Sequence, residues 1–320
     1  MYIGKTIEVE VEDIHHVTPI VKIFTLRPIN SIKLPIYSAG SHIMTYVNNG
    51  NDMINRAYSL IGLSKKENCY KIAIQLSKDS KGGSLYWHEE VKIGHKLSIS
   101  YPKNFFPLSF KAKHHVFYAA GIGITPFLSM MEELKSKNIS FELHYASSSK
   151  NLCAFYEYIN ENFYKESHFY FSKVKDKTRL SDSSLYEHRI GTHVYLCGPT
   201  NFISQFTDKA LKIGYPKNSI HYEYFKTTNK ENAQPFEVKL LNGDTKFVSK
   251  DKTLLEVLLQ EGIKVPYSCQ VGRCGTCELK VLKGIVDHND SFYNEEQRNS
   301  HSTILSCVSR ANSKELFLDL

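Results

Sequence analysis

Three cysteines lie within nine residues near the carboxyl-terminal end of the sequence, although the chain of 320 residues contains only seven. Cys269, Cys274 and Cys277 have the spacing C-x4-C-x2-C, and Cys307 follows after residues 278–306. Four thiolates with this spacing hold a [2Fe–2S] cluster. The competing candidates for the fourth ligand are the remaining cysteines, Cys69, Cys153 and Cys197. Only Cys307 follows the first three at the expected distance.

Small and polar residues surround the first three cysteines. Gly272, Gly275 and Thr276 leave room for backbone N–H groups near the cluster sulfurs, and Ser268 and Arg273 can add donors. A zinc site and unrelated buried thiols are the alternatives, but zinc sites usually pair C-x2-C on both sides and often use histidine. A Rieske centre is excluded because it needs two histidine ligands and no C-x-H pair occurs.

The flanking segments predict how the cysteine loop is held. FEVKLL (236–241), the turn at Asn242-Gly243 and TKFVSK (245–250) predict a hairpin. TLLEVLLQEG (253–262) predicts a short amphipathic helix that ends at glycine, and ELFLDL (315–320) predicts a closing strand. In this arrangement the segment resembles the plant-type ferredoxins, which have an α+β fold called the β-grasp.

Other motifs precede this segment in a fixed order. They are Arg56-Ala57-Tyr58-Ser59 (R-x-Y-S), Gly82-Gly83-Ser84, Gly121–Pro126 (G-x-G-I-T-P) and Cys197-Gly198-Pro199. R-x-Y-S alone is weak evidence, but the ordered set resembles the ferredoxin-NADP⁺ reductase superfamily. With a ferredoxin segment at the carboxyl-terminal end, the whole chain resembles the phthalate dioxygenase reductase family, which includes vanillate demethylase reductases.

The first hundred residues contain short alternating segments such as TIEVEV, IVKIFTL, HIMTYV and CYKIAIQL, which predict an antiparallel β-barrel. The family resemblance implies that this barrel binds a flavin through the R-x-Y-S motif, including Ala57. Arg56 would pair with the flavin phosphate, since a guanidinium suits that anion. Tyr58 would lie along the isoalloxazine or ribityl chain, and Ser59 would face flavin N5, where hydride arrives.

Two further segments complete the flavin site that the resemblance implies. Ala73, Ile74 and Gln75 match the ring-edge segment of the family. Gly82, Gly83 and Ser84 begin a predicted helix whose N–H groups would cradle the phosphate. The resemblance favours FMN, and the sequence shows no extra segment for the adenine of FAD. Many relatives have arginine before these glycines, whereas this chain has Lys81, which keeps the charge but loses the bidentate geometry, so the expected difference is in phosphate affinity.

From about residue 109 the pattern changes to alternating strands and helices, which predicts a parallel α/β sheet. The motif Gly121, Gly123, Ile124, Thr125 and Pro126 lies at a strand-to-helix turn, where a pyrophosphate can meet the helix N-terminus.

The resemblance also implies a nicotinamide site. Cys197, followed by Gly198 and Pro199, would lie beside nicotinamide C4, and Thr125 would reach both flavin and nicotinamide. In HYEYF (221–225), Phe225 would cover the flavin ring and Glu223 would sit near the transfer site. NADH is favoured, because Ser147-Ser148-Ser149-Lys150 follows the second strand and a 2′-phosphate usually attracts arginine. Lys150 leaves NADPH open.

Composition excludes other classes of protein. The net charge is +7, but no dense Lys/Arg run with interleaved aromatic residues occurs, so nucleic-acid binding is disfavoured. The amino-terminal residues lack the apolar region of a secretory signal. The uncharged stretch 116–131 is too short for a confident membrane span and contains two glycines and a proline. We therefore expect a cytoplasmic protein without a membrane or nucleic-acid partner.

These features predict three domains: an FMN-binding β-barrel (1–108), an NAD-binding α/β domain (109–228) and a linker with a [2Fe–2S] ferredoxin domain (229–320). The resemblance implies a reductase that passes electrons from NADH through FMN and the cluster to a Rieske-type oxygenase component. Alternatives are a reductase for a cytochrome P450 or a diiron monooxygenase. An iron–sulfur redox sensor is the non-enzymatic alternative, although a sensor needs no hydride site.

Overall fold

The computed structural model describes most of the chain. The described residues are 6–30, 32–48, 53–62, 68–77, 82–173, 179–225 and 233–320. Lys81 and most of the predicted linker, residues 226–232, lie outside them. Residue contacts separate the chain into a larger unit, Lys5–Tyr224, and a smaller unit that contains Phe225–Leu320. The predicted boundary between residues 108 and 109 therefore falls inside the larger unit.

The larger unit begins with six antiparallel strands. They are β1 (Thr6–Thr18), β2 (Val21–Pro28), β3 (His42–Asn48), β4 (Met53–Ser59), β5 (Tyr70–Gln75) and β6 (Lys96–Ser100). Their order in the sheet is β4-β3-β6-β1-β2-β5. A bridge between Leu60 and Ile72 joins the two ends of the sheet, so the strands close into the predicted antiparallel barrel.

Alternate residues of the strands fill the barrel. Val9 and Val11 on β1 are fully buried, as the period-two side-chain pattern of a strand requires. Helix α1 (Gly83–Glu89) follows the glycine pair, as predicted, and contributes the fully buried Trp87. The Trp87 ring packs edge-on against Phe24, with ring centroids 4.8 Å apart. Helix α1 thereby anchors the glycine pair to the barrel core.

The second part of the larger unit alternates strands and helices. Its elements are β7 (His114–Ala120), α2 (Thr125–Ser136), β8 (Phe141–Ser147), α3 (Tyr156–Asn162), β9 (Ser167–Phe171), β10 (Thr192–Cys197), α4 (Thr200–Lys212) and β11 (Ile220–Glu223). The strands pair in the order β11-β10-β7-β8-β9, and every pairing is parallel. The predicted parallel α/β sheet is confirmed.

Helix α3 is shorter than the sequence pattern NLCAFYEYINENF (151–163) predicts. It begins only at Tyr156, because Phe155 adopts a left-handed backbone conformation with φ 62°. Cys153 and Ala154 turn into the core and are 3% and 2% exposed. Burial of these side chains outweighs the helical periodicity of the segment, so the prediction was wrong for its first five residues.

A group of histidines surrounds Glu142 on strand β8. The Glu142 carboxylate lies 3.0 Å from His144 Nε2 and 3.2 Å from His168 Nε2, with His114 and His188 at 3.8 and 3.9 Å. The imidazoles of His114 and His144 hold the pKa of the Glu142 carboxyl well below its usual range. The ionised carboxylate is therefore a stabilising charge in the larger unit.

We expect Glu142→Gln to lower the free energy of unfolding of the larger unit by about 2 kcal/mol at neutral pH. Since the folded-state pKa lies below the ordinary value of 4.5, this stabilisation is present above pH 4.5 and is lost as the pH falls further. Urea unfolding, followed by the fluorescence of Trp87, the only tryptophan, measures the difference at several pH values. Exposed Glu161→Gln is the control, and a gap between wild type and Glu142→Gln that does not narrow in acid contradicts the prediction.

The smaller unit has a mixed sheet and two short helices. Its elements are β12 (Phe236–Leu240), β13 (Thr245–Val248), α5 (Leu254–Gln260), β14 (Glu278–Lys283), β15 (Val286–Asp287), α6 (Glu295–Ser300), β16 (Thr303–Leu305), β17 (Arg310–Ala311) and β18 (Glu315–Leu318). The order β13-β12-β18-β14-β16 places the carboxyl-terminal strand parallel to β12 in the centre of the sheet. The predicted β-grasp fold is confirmed.

Helix α5 starts where the sequence predicts because Thr253 and Glu256 form a capping box. The Thr253 hydroxyl accepts the Glu256 N–H, and the Glu256 carboxylate accepts the Thr253 N–H at 2.8 Å. The buried face of α5 packs against the sheet through Leu254 and Leu258. This packing fixes the start of the loop that carries the first three cysteines.

Within the described ranges, we find no helix with both the length and the apolar character that a bilayer crossing requires.

Candidate functional site

The four cysteines of the predicted cluster site form two pairs in the smaller unit. Cys277 Sγ and Cys307 Sγ are 3.1 Å apart, and the thiols of Cys269 and Cys274 are hydrogen-bonded to each other. All four are free thiols, and only Cys274 is not buried. The structure thus pairs Cys307 with Cys277, whereas Cys69, Cys153 and Cys197 belong to the larger unit.

Each pair contains one thiol that ionises readily. The hydrogen bond with Cys269 lowers the pKa of Cys274, and the hydrogen bond with Cys307 lowers the pKa of Cys277. The partner thiols, Cys269 and Cys307, have raised pKa values for the same reason. Metal binding requires deprotonated thiolates, so these pairs already favour the ligand form of one sulfur each.

Backbone N–H groups of the loop point toward the sulfurs. The N–H groups of Val271 and Arg273 contact Cys269, and the N–H of Gly272 contacts Cys307. Gly272 and Gly275 both have φ 71°, a conformation that favours glycine. A Cβ atom at Gly275 would lie 2.4 Å from the ring of Phe292. The loop therefore has the small residues and inward donors that a cluster requires.

The two thiol pairs match a cluster that takes four cysteines over two irons. A mononuclear structural zinc site needs four ligand atoms around one point.

In the larger unit, the G-x-G-I-T-P and C-G-P motifs are in direct contact. A Cβ atom at Gly123 would lie 2.2 Å from the Cys197 carbonyl oxygen and 2.8 Å from Gly198 N. Gly121–Ile124 form a 3₁₀ turn after β7, and Thr125 and Pro126 begin α2. The two turns therefore meet at the carboxyl-terminal edge of the parallel sheet, where ligands bind in open α/β folds.

The register of the parallel strands decides what lies beside Cys197. Cys197 ends β10 fully buried, opposite Ala119 on β7 and Glu223 on β11. Pro199 then occupies the position before the first residue of helix α4. Thr125 is 2% exposed, and its hydroxyl donates to the Ile122 carbonyl oxygen at 3.0 Å.

A barrel residue reaches this edge of the sheet. A Cβ atom at Gly121 would lie 3.9 Å from Gln75 Oε1 at the end of β5. Gln75 follows Ala73 and Ile74, whose carbonyl oxygen lies 3.0 Å from His88 Nε2. The segment predicted to border the flavin thus lies next to the turn predicted to bind the dinucleotide.

The R-x-Y-S and G-G-S motifs are also neighbours. A Cβ atom at Gly83 would lie 2.9 Å from Arg56 Nε, Arg56 is an exposed residue, and its Nη1 donates to the Asn55 carbonyl oxygen at 2.7 Å. Gly82 has φ 89° with open space around it, and Ser84 Oγ accepts the Ser77 N–H. An exposed arginine beside an open glycine turn fits a phosphate group.

Tyr58 and Ser59 lie on β4, two and three residues after Arg56. Burial raises the pKa of Tyr58, whereas the nearby Arg56 lowers it, and the Tyr58 ring packs edge-on against Trp87 at 5.9 Å. Ser59 is 6% exposed and pairs with His42 of β3. Ala57 is exposed.

Two further predicted residues are Phe225 and Lys81. Phe225 is 40% exposed and belongs to the smaller unit, and Lys81 lies outside the described residues. Sequence reasoning missed Trp87, although the only tryptophan directly after a glycine turn was a usable signal. It also missed Tyr145, whose hydroxyl donates to the Gly121 carbonyl oxygen at 3.0 Å. No local signal linked Tyr145 to Gly121, because the two residues are far apart in sequence.

Comparison with known proteins agrees with the two-part architecture. Residues 240–312 match the family described as the 2Fe-2S iron-sulfur cluster binding domain. Residues 103–220 match the dimethylamine monooxygenase subunit DmmA-like, N-terminal domain. The chain is 36% identical to the carnitine monooxygenase reductase subunit of Escherichia coli (strain K12), over 98% of both chains. It is 35% identical to the vanillate O-demethylase oxidoreductase of Acinetobacter baylyi, again over 98% of both.

A solved structure decides the family. The structure of phthalate dioxygenase reductase, described as modular for electron transfer from pyridine nucleotides to [2Fe-2S], matches with a TM-score of 0.78 and 30% identity. The match covers 98% of both chains.

The chain belongs to the phthalate dioxygenase reductase family. It is an oxidoreductase, and its smaller unit is an iron–sulfur cluster binding domain. An intact type IV self-sufficient cytochrome P450 monooxygenase also matches, with a TM-score of 0.78 and 31% identity over 98% of this chain. The present chain spans only 41% of that P450 chain.

Proposed function

We propose that this protein is the NADH-dependent reductase component of an oxygenase system, with FMN and a [2Fe–2S] cluster as cofactors and a Rieske-type oxygenase as electron acceptor. The relatives whose names describe reductase subunits of oxygenases support this role. Bound flavin accepts two electrons as hydride and releases them singly, which a one-electron cluster requires.

One observation carries the proposal. The same chain holds two thiol pairs in its smaller unit and, in its larger unit, a Gly123 turn packed on the Cys197–Gly198 peptide. A redox sensor needs the thiols but has no use for a dinucleotide turn. The combination of both sites therefore favours a reductase over a sensor.

We assign the residues to roles as follows. Arg56, with Gly82, Gly83 and Ser84, holds the flavin phosphate, and Lys81 adds charge there. Ala57, Tyr58 and Ser59 with Ala73, Ile74 and Gln75 border the flavin ring, and Phe225 covers it. The nicotinamide and pyrophosphate contacts are Gly121, Gly123, Ile124, Thr125, Pro126, Cys197, Gly198 and Pro199. Cys269, Cys274, Cys277 and Cys307 ligate the cluster.

In this proposal the three segments 1–108, 109–228 and 229–320 are the FMN, NAD and ferredoxin domains. Ser59 and Cys197 are the residues nearest the hydride transfer. Free cysteines throughout the described chain suit a reducing compartment, so we place the protein in the cytoplasm. Recovery of the protein from a membrane or secreted fraction instead would contradict that location.

NADH is the proposed donor because the segment after β8 has little positive charge to bind the 2′-phosphate of NADPH. Its one cation, Lys150, lies 3.4 Å from the Glu157 carboxylate and over the Tyr156 ring. A carboxylate beside the lysine repels a phosphate, and no arginine occurs between Arg56 and Arg179. Comparing kcat/KM for NADH and NADPH tests this assignment.

The proposed function is tested by mixing the purified protein with NADH without oxygen in a stopped-flow spectrometer. We expect the flavin absorbance to bleach first and the cluster absorbance second, and cytochrome c added afterwards to be reduced. Flavin released by heat is identified as FMN or FAD by chromatography. Arg56→Gln is expected to retain less flavin than the exposed Arg27→Gln control. A protein without flavin that NADH does not reduce would be a sensor instead.

A cytochrome P450 is the second candidate acceptor. The P450 chain that matches carries a region similar to this entire protein, so the same electron route serves that kind of partner. Purified reductase, mixed with a Rieske oxygenase and separately with a P450, distinguishes the two. Faster reduction of the haem protein would overturn the Rieske assignment.

A further inference from the structure

A buried carboxylate lies directly behind the cysteine loop of the smaller unit. Asp290 follows strand β15, and its side chain has an exposed fraction of 0%. Its backbone packs on the loop, because a Cβ atom at Gly272 would lie 3.0 Å from Asp290 Cα. The next residue, Ser291, donates its N–H to the Gly272 carbonyl oxygen at 3.0 Å. Asp290 is therefore in contact with the loop that carries the first three cysteines.

Five groups surround the Asp290 carboxylate, and none of them is a cysteine. They are the backbone N–H groups of Phe292 and Tyr293 at 3.0 Å, Ser309 Oγ at 3.3 Å, His288 Nδ1 at 3.3 Å and Arg298 Nη2 at 3.5 Å. Most of these groups are neutral donors. They fix the position of the Asp290 carboxylate but do not neutralise its negative charge. Arg298 is the one cation, and its side chain is 35% exposed.

His288 is a buried neighbour of the Asp290 carboxylate. Its side chain is 5% exposed, and burial lowers its pKa. A carboxylate only accepts hydrogen bonds, so Nδ1 of the neutral imidazole carries the proton. Nε2 is buried without a hydrogen-bond partner among the described residues. A neutral His288 orients its N–H dipole toward Asp290 but does not cancel its negative charge.

Two short connections link Asp290 to Cys307. Gly272, held through its carbonyl oxygen by Ser291, directs its N–H at the Cys307 thiol. Ser309, which donates to the Asp290 carboxylate, lies two residues after Cys307. Each connection includes a hydrogen bond, and the bond from Ser309 to Asp290 is buried. A change at Asp290 is therefore transmitted to the surroundings of one proposed ligand.

We propose that Asp290 is a positioning residue for electron transfer that fixes Gly272 and Ser309 around Cys307 and keeps the cluster potential low, and that the N–H dipole of His288 offsets part of its negative charge. A fixed negative charge disfavours the gain of an electron nearby, and iron–sulfur potentials depend on local charge and on hydrogen bonds to sulfur. A low potential drives electrons onward to an acceptor. The inference rests on the proposed function, since it concerns the electron carrier that this function requires.

The test is Asp290→Asn in the full-length protein, because asparagine keeps the shape and the acceptor oxygen but removes the charge. We expect the equilibrium constant for one-electron reduction to rise at least tenfold, which is a potential shift of about +59 mV. A redox titration with dithionite and mediators, followed by the cluster's EPR signal, measures this shift. Since dithionite supplies the electrons, the result does not depend on NADH or flavin. The expected potential shift can therefore be absent even when the proposed function is correct.

Matched variants separate a charge effect from a general loss of structure. The exposed Asp319, paired with Lys280 at 3.0 Å, is the control, and Asp319→Asn is expected to change the equilibrium constant less than about twofold. His288→Leu removes one donor from Asp290 and is expected to lower the potential. His288→Asn, which replaces the Nδ1 donor by an amide, is expected to restore it.

The outcomes are decisive in each case. Asp290→Asn with full iron content and an unchanged potential overturns the proposal. If Asp290→Asn fails to assemble the cluster, His288→Leu decides: a lowered potential that His288→Asn restores supports the proposal, and an unchanged potential overturns it. A merely structural role for the dyad would reduce iron content without moving the potential of the remaining clusters.

Discussion

Cys307→Ser is expected to reduce the cluster content to less than about a tenth of the wild-type value. NADH should still reduce the flavin in this variant at an unchanged rate. A serine oxygen is a harder and poorer ligand for iron than a thiolate, and Cys307 has contact with Cys277 in the buried half of the site. Apart from Phe225, the proposed flavin and nicotinamide residues lie in the larger unit, so we expect the loss of the cluster to leave them unchanged. Iron analysis and stopped-flow absorbance measure the two effects separately.

Cys69→Ser is the matched control for this experiment. Cys69 is a partly exposed cysteine outside any disulfide and lies in the larger unit, so its replacement should leave the iron content unchanged. Cys153 is a less suitable control because burial raises its pKa to about 12 and its neutral thiol packs in the core. A Cys307→Ser protein with a complete cluster spectrum would show that another residue is the fourth ligand.

Gly123→Ala is expected to slow flavin reduction by NADH about 100-fold, because a misplacement near 1 Å at a reacting site costs that much. The added Cβ would lie 2.2 Å from the Cys197 carbonyl oxygen and 2.4 Å from its carbonyl carbon. Backbone cannot yield as a side chain can, so the Gly121–Pro126 turn and the end of β10 must separate. Stopped-flow reduction at saturating NADH measures the change, and the iron content should stay at the wild-type value.

Gly214→Ala is a demanding control for the same measurement. Gly214 has φ +95° with open space around it, so alanine strains the backbone there but pushes nothing aside. It therefore tests whether a destabilised larger unit alone slows the reaction. Equal rates in the two variants would show that the contact between Gly123 and Cys197 is not part of the dinucleotide site.

The success of the sequence predictions depended on how local their signals were. The hairpin around Asn242-Gly243 and the capped helix α5 follow from neighbouring residues, and both are present. Helix α3 was predicted five residues too long, because its first residues gain more from burial than from helical hydrogen bonds. Hydrophobic periodicity indicates which residues suit a helix, but it does not indicate which of them gain more stability from burial in the core.

Among the proposed cofactor residues, some were recognisable from local sequence and others only from the packing of the fold. The motif R-x-Y-S could be read directly, and so could the cysteine spacing. The neighbourhood of Arg56 and Gly83 depends on the packing of α1 against the barrel, which Trp87 anchors. No sequence signal distinguishes Asp290, since an aspartate in a polar loop is ordinary. Only the fold reveals that its side chain is fully buried.

The sequence by itself determined the family, the order of the domains and the identity of the candidate ligands, because spacing and strand-helix alternation are properties of the linear chain. The tertiary structure decided which thiols pair, that Gly123 touches Cys197, and that a carboxylate is enclosed behind the cysteine loop. These contacts join residues distant along the chain. They depend on the register of parallel strands and on loop packing, which no local pattern encodes.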